Sequence, residues 1–139
     1  GEATLLDDAY NANPVSMRAA MSSLAAAQPQ GGGRRIAVLS DMLELGASGP
    51  ALHAELAEPL LEASTDLVFS CGDLMKHLHD ALPAPRRAGY AKSASEVLEP
   101  LKSELRNGDV VLMKGSNGSG LHKIAAVLVD GTAFDLTEA

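Results

Sequence analysis

The sequence predicts an α/β fold, a three-layer Rossmann-like domain built on a mainly parallel sheet. Three observations predict it. Short apolar, β-prone runs alternate with segments of helical periodicity, the pattern of strands joined by crossover helices. Two of those runs, "IAVLS" and "VVLM", are almost continuously apolar, as expected for strands covered on both faces. Polar or glycine-rich loops follow several of the runs, where open sheets place their ligand loops.

The first strand is expected at Thr4 to Asp7 and opens into "DDAYNANP", Asp7 to Pro14. Asn13 reads as an N-cap with Pro14 at the first helical position. Behind them Met17, Ala20, Met21 and Leu24 recur at helical spacing and give one apolar face. "QPQGGG", Gln28 to Gly33, is a loop. The second strand spans Arg35 to Ser40, followed by "SDMLELG", Ser40 to Gly46. A second helix starts near Gly49 and Pro50 with Leu52, Leu56 and Leu60 inward, and Pro59 should kink or break it.

The third strand is expected at Asp66 to Ser70, and the third helix follows Gly72 and Asp73 with Leu74, Met75 and Leu78. The fourth strand, Arg87 to Tyr90, is the weakest and reads as an edge. Ser93 and Glu96 have capping-box spacing at the start of the fourth helix. That helix carries Val97, Leu98, Leu101 and Leu105 and stops at Asn107 and Gly108. Pro100 lies inside it as a tolerated kink. The fifth strand, Asp109 to Met113, leads into "KGSNGSG", Lys114 to Gly120, and a last helix runs from Ser119 with Leu121, Ile124, Ala125 and Leu128. Residues 1–130 form one domain. Residues 131–139 are a tail, either a short strand around 132–136 or disordered.

The bulk numbers narrow the function. A chain of 139 residues can bury one sizeable core. With 46% hydrophobic but only 3% aromatic residues, that core is aliphatic. A net charge of −7 argues against a nucleic-acid or anionic-membrane surface. No apolar run approaches the roughly 20 residues that span a bilayer, and no basic-then-apolar leader is present. The single cysteine, Cys71, has no partner for an internal disulfide or a cysteine-based metal site. A cytoplasmic setting is expected, as is a chain that is a piece of something longer, since it starts at Gly1.

Chemistry concentrates in the loops. "KGSNGSG" lets backbone N–H groups approach a ligand, opens a helix whose N-terminus favours an anion, and adds the charge of Lys114. It is not a G-x-x-x-x-G-K-[ST] phosphate loop, because the lysine precedes the glycines. Lys114 could instead pair with Asp7 or Asp8 across adjacent strands. In "DDAYNANP", Asp8 and Asn11 have no structural duty, and an aspartate at a strand's carboxyl end can accept bonds from ribose hydroxyls. None of His53, His77, His79 and His122 shows metal spacing. His53 reads as a half-buried helix residue or a group that orients the "MLELG" loop.

Taken together, "DDAYNANP" with "SMRAAM", "LSDMLELG" with "ALHAEL", and "VLMKGSNGS" resemble the C-terminal domain of the bacterial Mur ligases over nearly the whole chain. The first motif is the most specific. The nearest likeness is to the type that joins D-Ala-D-Ala to UDP-N-acetylmuramoyl-tripeptide in peptidoglycan synthesis. The resemblance implies a three-domain cytoplasmic, monomeric enzyme that uses ATP and Mg²⁺ to make an acyl phosphate. The phosphate loop and metal ligands would belong to a central domain that this chain lacks and would pack against. It implies ATP contacts at Asp8, Asn11, Tyr10 and Asn13, and substrate contacts at Lys114, Ser116, Asn117 and His53. It assigns no catalytic residue and no metal ligand to this chain. It also implies strand order 1-5-2-3-4. Many members carry arginine after Lys-Gly-Ser, where Asn117 stands here; Lys123 and Arg18 are candidates to supply that charge. Rival readings are a phosphoacceptor receiver domain, which fits Asp7, Asp8 and Lys114 but lacks an aspartate after the third strand, and a non-catalytic binding module.

Overall fold

The computed structural model describes residues 2–8, 12–131 and 135–138. Six strands form one sheet in the order β4-β3-β2-β5-β1-β6. They are β1 (Glu2–Asp8), β2 (Arg35–Ser40), β3 (Leu67–Cys71), β4 (Arg87–Ala91), β5 (Val110–Lys114) and β6 (Asp135–Glu138). All pairings are parallel. The expected order 1-5-2-3-4 is present, with β6 added outside β1. Within the tail, β6 pairs with Glu2 to Leu5, while Thr132 to Phe134 lie outside the described residues. The weak fourth run is an edge, and its pairing with β3 slips between Val68 and Phe69.

Strand alternation sorts the core into two layers. On β2, Ala37 and Leu39 face the layer that holds Met17, Met21, Leu24, Leu60 and Leu78. Ile36 and Val38 face the layer that holds Val97, Leu101, Leu105 and Leu121. Thus α1 (Pro14–Ala26), α3 (Ala57–Glu62) and α4 (Met75–Ala81) cover one face, and α5 (Leu98–Glu104) and α6 (Leu121–Gly131) cover the other. Every residue of β5 is buried, as a strand paired on both edges and covered on both faces requires.

The two interior prolines break helices in the same way. The segment expected as one helix splits into α2 (Gly49–Ala54) and α3, with Pro59 as the third residue of α3. Pro100 is the third residue of α5, and a separate 3₁₀ turn, Ala94 to Val97, precedes it. A first-turn N–H has no acceptor within its helix, so proline loses nothing there. Its ring does clash with the carbonyl four residues back, so the α-helix cannot extend upstream. The expected capping box at Ser93 is therefore absent. With the opening turn wound as 3₁₀, the Ser93 hydroxyl donates to Glu96 Oε1 at 2.9 Å and the cap makes no side-chain bond to the backbone. The capping reading holds at α1. There Asn13 Oδ1 accepts from the Ser16 N–H at 2.8 Å, and Ser16 Oγ accepts from the Asn13 N–H at 3.0 Å.

Candidate functional site

Two adjacent strands end together at the carboxyl edge of the sheet. Parallel register sets Asp8 of β1 beside Lys114 of β5. Lys114 Nζ lies 2.7 Å from Asp8 Oδ2, and the lysine side chain is 1% exposed against 53% for the aspartate. A charged group so buried needs a charged or strongly hydrogen-bonding partner. The pairing left open in the sequence is realised with Asp8. Its effect is to direct the lysine's charge at a carboxylate whose remaining surface faces outward.

The loop after β5 is locked to the loop after β2. Gly115 lies so close to β2 that a Cβ there would sit 1.6 Å from Ser40 Oγ and 2.9 Å from Ser40 Cβ. Only glycine fits. Ser40 Oγ donates to Ser119 Oγ at 2.7 Å, and Ser119 Oγ also lies 2.6 Å from the Ser116 carbonyl. Ser116 Oγ accepts from the Leu43 N–H at 3.1 Å, and its own N–H donates to the Asp41 carbonyl. Ser116, expected at the substrate side, thus also ties two loops together. Asn117 occupies a 3₁₀ turn between them.

His53 anchors this assembly from behind. Its ring is completely buried. Nδ1 lies 2.6 Å from the Gly49 carbonyl and must donate to it, so Nε2 accepts from the Met42 N–H at 2.9 Å. The expectation that His53 touches substrate does not match this geometry, because both ring nitrogens are taken by backbone and none of the ring meets solvent. The alternative, a group orienting the loop after β2, is what the structure shows. The histidine is fully buried, not half-buried. Tyr10 and Asn11 lie outside the described residues. Of the two candidates for the charge missing at position 117, Arg18 lines a groove with Pro59 and Glu62 between α1 and α3, and Lys123 is exposed on α6.

Asp41 was not singled out in the sequence. Its carboxylate accepts from the backbone N–H groups of Leu74 at 3.2 Å and Met75 at 2.9 Å, holding the start of α4. Gly72, at φ +107°, makes room for it, since a Cβ there would lie 2.3 Å from Asp41 Oδ1. A local signal exists in "SDM" and "CGD", but the bonds join residues 33 and 34 apart. Asp41, Gly72 and Ser119 contribute to a cleft of about 240 Å³ over the carboxyl ends of β2 and β3, reached also by Lys92 from beyond β4. Cys71 lines the same cleft but is no nucleophile: burial, then the charge of Asp41, pushes its thiol up to about 12.

The topology separates the rival readings. In the receiver-like order 2-1-3-4-5, β1 lies between β2 and β3. Here β1 pairs with β5 and β6, so this chain is not a receiver domain. Residues 1–117 match the family described as "Mur ligase, glutamate ligase domain". The chain is 37% identical over 145 residues to the UDP-N-acetylmuramoyl-tripeptide--D-alanyl-D-alanine ligase of Mycobacterium tuberculosis (strain ATCC 25618 / H37Rv). That alignment covers 91% of this chain and 28% of the relative, so the chain spans little more than a quarter of the relative's length. A MurF structure from Acinetobacter baumannii superposes with a TM-score of 0.76 at 28% identity, covering 94% of this chain and 29% of that one. The MurF ligase from Thermotoga maritima, solved in complex with ADP, shares the fold with a TM-score of 0.75 at 23% identity, covering 92% and 28%. With the motifs, the strand order and these matches in agreement, the chain belongs to the Mur ligase C-terminal domain family.

Proposed function

We propose that this chain is the C-terminal domain of an ATP-dependent ligase that adds D-Ala-D-Ala to UDP-N-acetylmuramoyl-tripeptide in cytoplasmic peptidoglycan synthesis. The observation that carries the reading is the Asp8–Lys114 pair at the carboxyl ends of adjacent strands. Lys114, itself buried, fixes the carboxylate of Asp8 while half of that side chain stays open to a ligand. Asp8 then accepts from the ribose hydroxyls of ATP. The family resemblance adds Tyr10, Asn11 and Asn13 as further ATP contacts. The loop carrying Ser116 and Asn117 borders the dipeptide. Lys114 and His53 serve the site from within, as positioning residues.

The chain contributes one wall and not the whole site. It carries no G-x-x-x-x-G-K-[ST] phosphate cradle, and a central domain of the same polypeptide supplies the phosphate contacts. Among the described residues no three His, Cys, Asp or Glu side chains converge to hold an ion. The family resemblance assigns Mg²⁺ to the central domain, and no step on this chain runs through it. By itself the domain neither ligates nor binds ATP tightly.

Steady-state kinetics of the full-length ligase test the reading. Asp8→Ala should raise KM for ATP roughly ten- to a hundred-fold, the worth of one charge-assisted bond. The ribose is unchanged during phosphoryl transfer, so kcat should hardly move. A collapse of kcat at unchanged KM for ATP contradicts the assignment.

A further inference from the structure

We infer that Lys92 receives the carboxylate of the incoming dipeptide, in the cleft over the carboxyl ends of β2 and β3. The inference rests on the ligase reading above. A dipeptide that reacts through its amine keeps a free carboxylate at the other end, and that charge needs a donor able to meet it. Lys114 lies against Asp8, and position 117 is asparagine. The cation must come from another element.

Few cations reach this end of the sheet. The arginines from Arg34 to Arg106 sit at the amino ends of β2, β4 and β5. Lys76 and Lys102 are ion-paired along their own helices, and Lys123, exposed on α6, is not among the residues that line the cleft. Arg18 belongs to the groove between α1 and α3. Of the described lysines and arginines, Lys92 is the one that lines the cleft. It is exposed, directly after β4, and makes no ion pair with a described residue.

The cleft suits a short zwitterion better than a nucleotide. At about 240 Å³ it is smaller than the roughly 300–1,000 Å³ of sites that enclose larger ligands. Gly72 and Gly118 leave its walls without side chains, and Ser93 and Ser119 bring hydroxyls to it. Asp41 and Asp73 line it together with a single lysine, so a polyphosphate meets net repulsion while a zwitterion of no net charge does not. Ser119 also belongs to the loop that continues from Lys114, so one loop runs from the Asp8 pair to the cleft, with β5 between β1 and β2.

The test compares D-Ala-D-Ala with its C-terminal amide in the full-length ligase, wild type against Lys92→Ala and Lys92→Arg. Lys92→Ala should raise KM for D-Ala-D-Ala roughly ten- to a hundred-fold, leave KM for ATP unchanged, and use the amide as well as wild type does. Lys92→Arg should restore most of the loss. Because the side chain is exposed, an unchanged KM for ATP also reports an intact fold. If wild type ligates D-Ala-D-Ala and Lys92→Ala does so with the same KM, the inference is overturned and the ligase reading stands. If wild type does not ligate D-Ala-D-Ala, the ligase reading fails and takes this inference with it.

Discussion

Replacing His53 by alanine should destabilise the domain far more than a typical histidine substitution on a helix. The Met42 N–H, which donates to Nε2 at 2.9 Å, loses its acceptor in a place water does not reach. An orphaned buried N–H costs about 1–3 kcal/mol. The ring also leaves a void, and at ~24 cal/mol per Å³ a residual space of about 50 Å³ adds about 1 kcal/mol. The Gly49 carbonyl loses a donor but keeps its helical one, so it adds little. The sum is about 2–4 kcal/mol, or roughly 8–16 °C in Tm for a chain of this size. Urea denaturation should show a lower midpoint at unchanged slope. Hydrogen exchange should show the largest loss of protection at Met42 and Leu43, because the perturbation starts in that loop. A midpoint shift worth less than about 0.5 kcal/mol, or exchange that rises uniformly, refutes the claim that this ring holds the loop.

Gly115→Ala should cost on the order of 1–3 kcal/mol, since the added methyl meets Ser40 Oγ and Cβ and the strand cannot yield; thermal melting checks it, and an unchanged Tm shows the loops can separate. Asn13→Ala should remove about 1 kcal/mol with the α1 cap, whereas Asn13→Asp should retain it, as read by urea midpoints. Cys71 should resist thiol reagents at pH 8 in the folded chain and react only on unfolding. The folded state keeps the thiol proton that the unfolded chain releases. The stability tied to that proton is therefore intact below about pH 9 and is lost as pH rises toward 12. Cys71→Ala should flatten this alkaline slope relative to wild type.

What could be read without coordinates was whatever depends on neighbours in sequence. The strands and the α1 cap follow from apolar runs and from Asn13 beside Pro14. Pro59 announces a break in the same way, although which turn gives way depends on the carbonyl four residues earlier. The site is different, because its decisive bonds join distant residues. The sequence offers a pairing of Lys114 with Asp7 or Asp8 only as an alternative; lysine normally reads as a solvated side chain, and which aspartate, 106 residues away, meets it depends on strand register. His53 could be read as a helix histidine or as a loop-orienting group, and only the fold of the loop after β2 over its ring decides between them. Asp41 caps a helix that begins beyond the next strand. The strand order came from family likeness and not from periodicity, since alternation of strands and helices is compatible with several orders.

The place of β5 in the sheet has a consequence for how the chain is made. β1 and β2 never touch as neighbours; β5, whose last residue lies 106 residues beyond the end of β1, is inserted between them. During synthesis the first four strands can form only a partial sheet, β2-β3-β4, with β1 and its helix waiting beside it. The edge of β2 and both edges of β1 stay open throughout that interval, each a template for a stray strand. The domain can close only when Val110 to Lys114 leaves the ribosome, and the same event brings Lys114 to Asp8. Closure of the gap between β1 and β2 and formation of the Asp8–Lys114 pair are thus one late step, with α6 and β6 still to follow. A nascent chain stalled before β5 would expose the very surfaces that a holding chaperone captures.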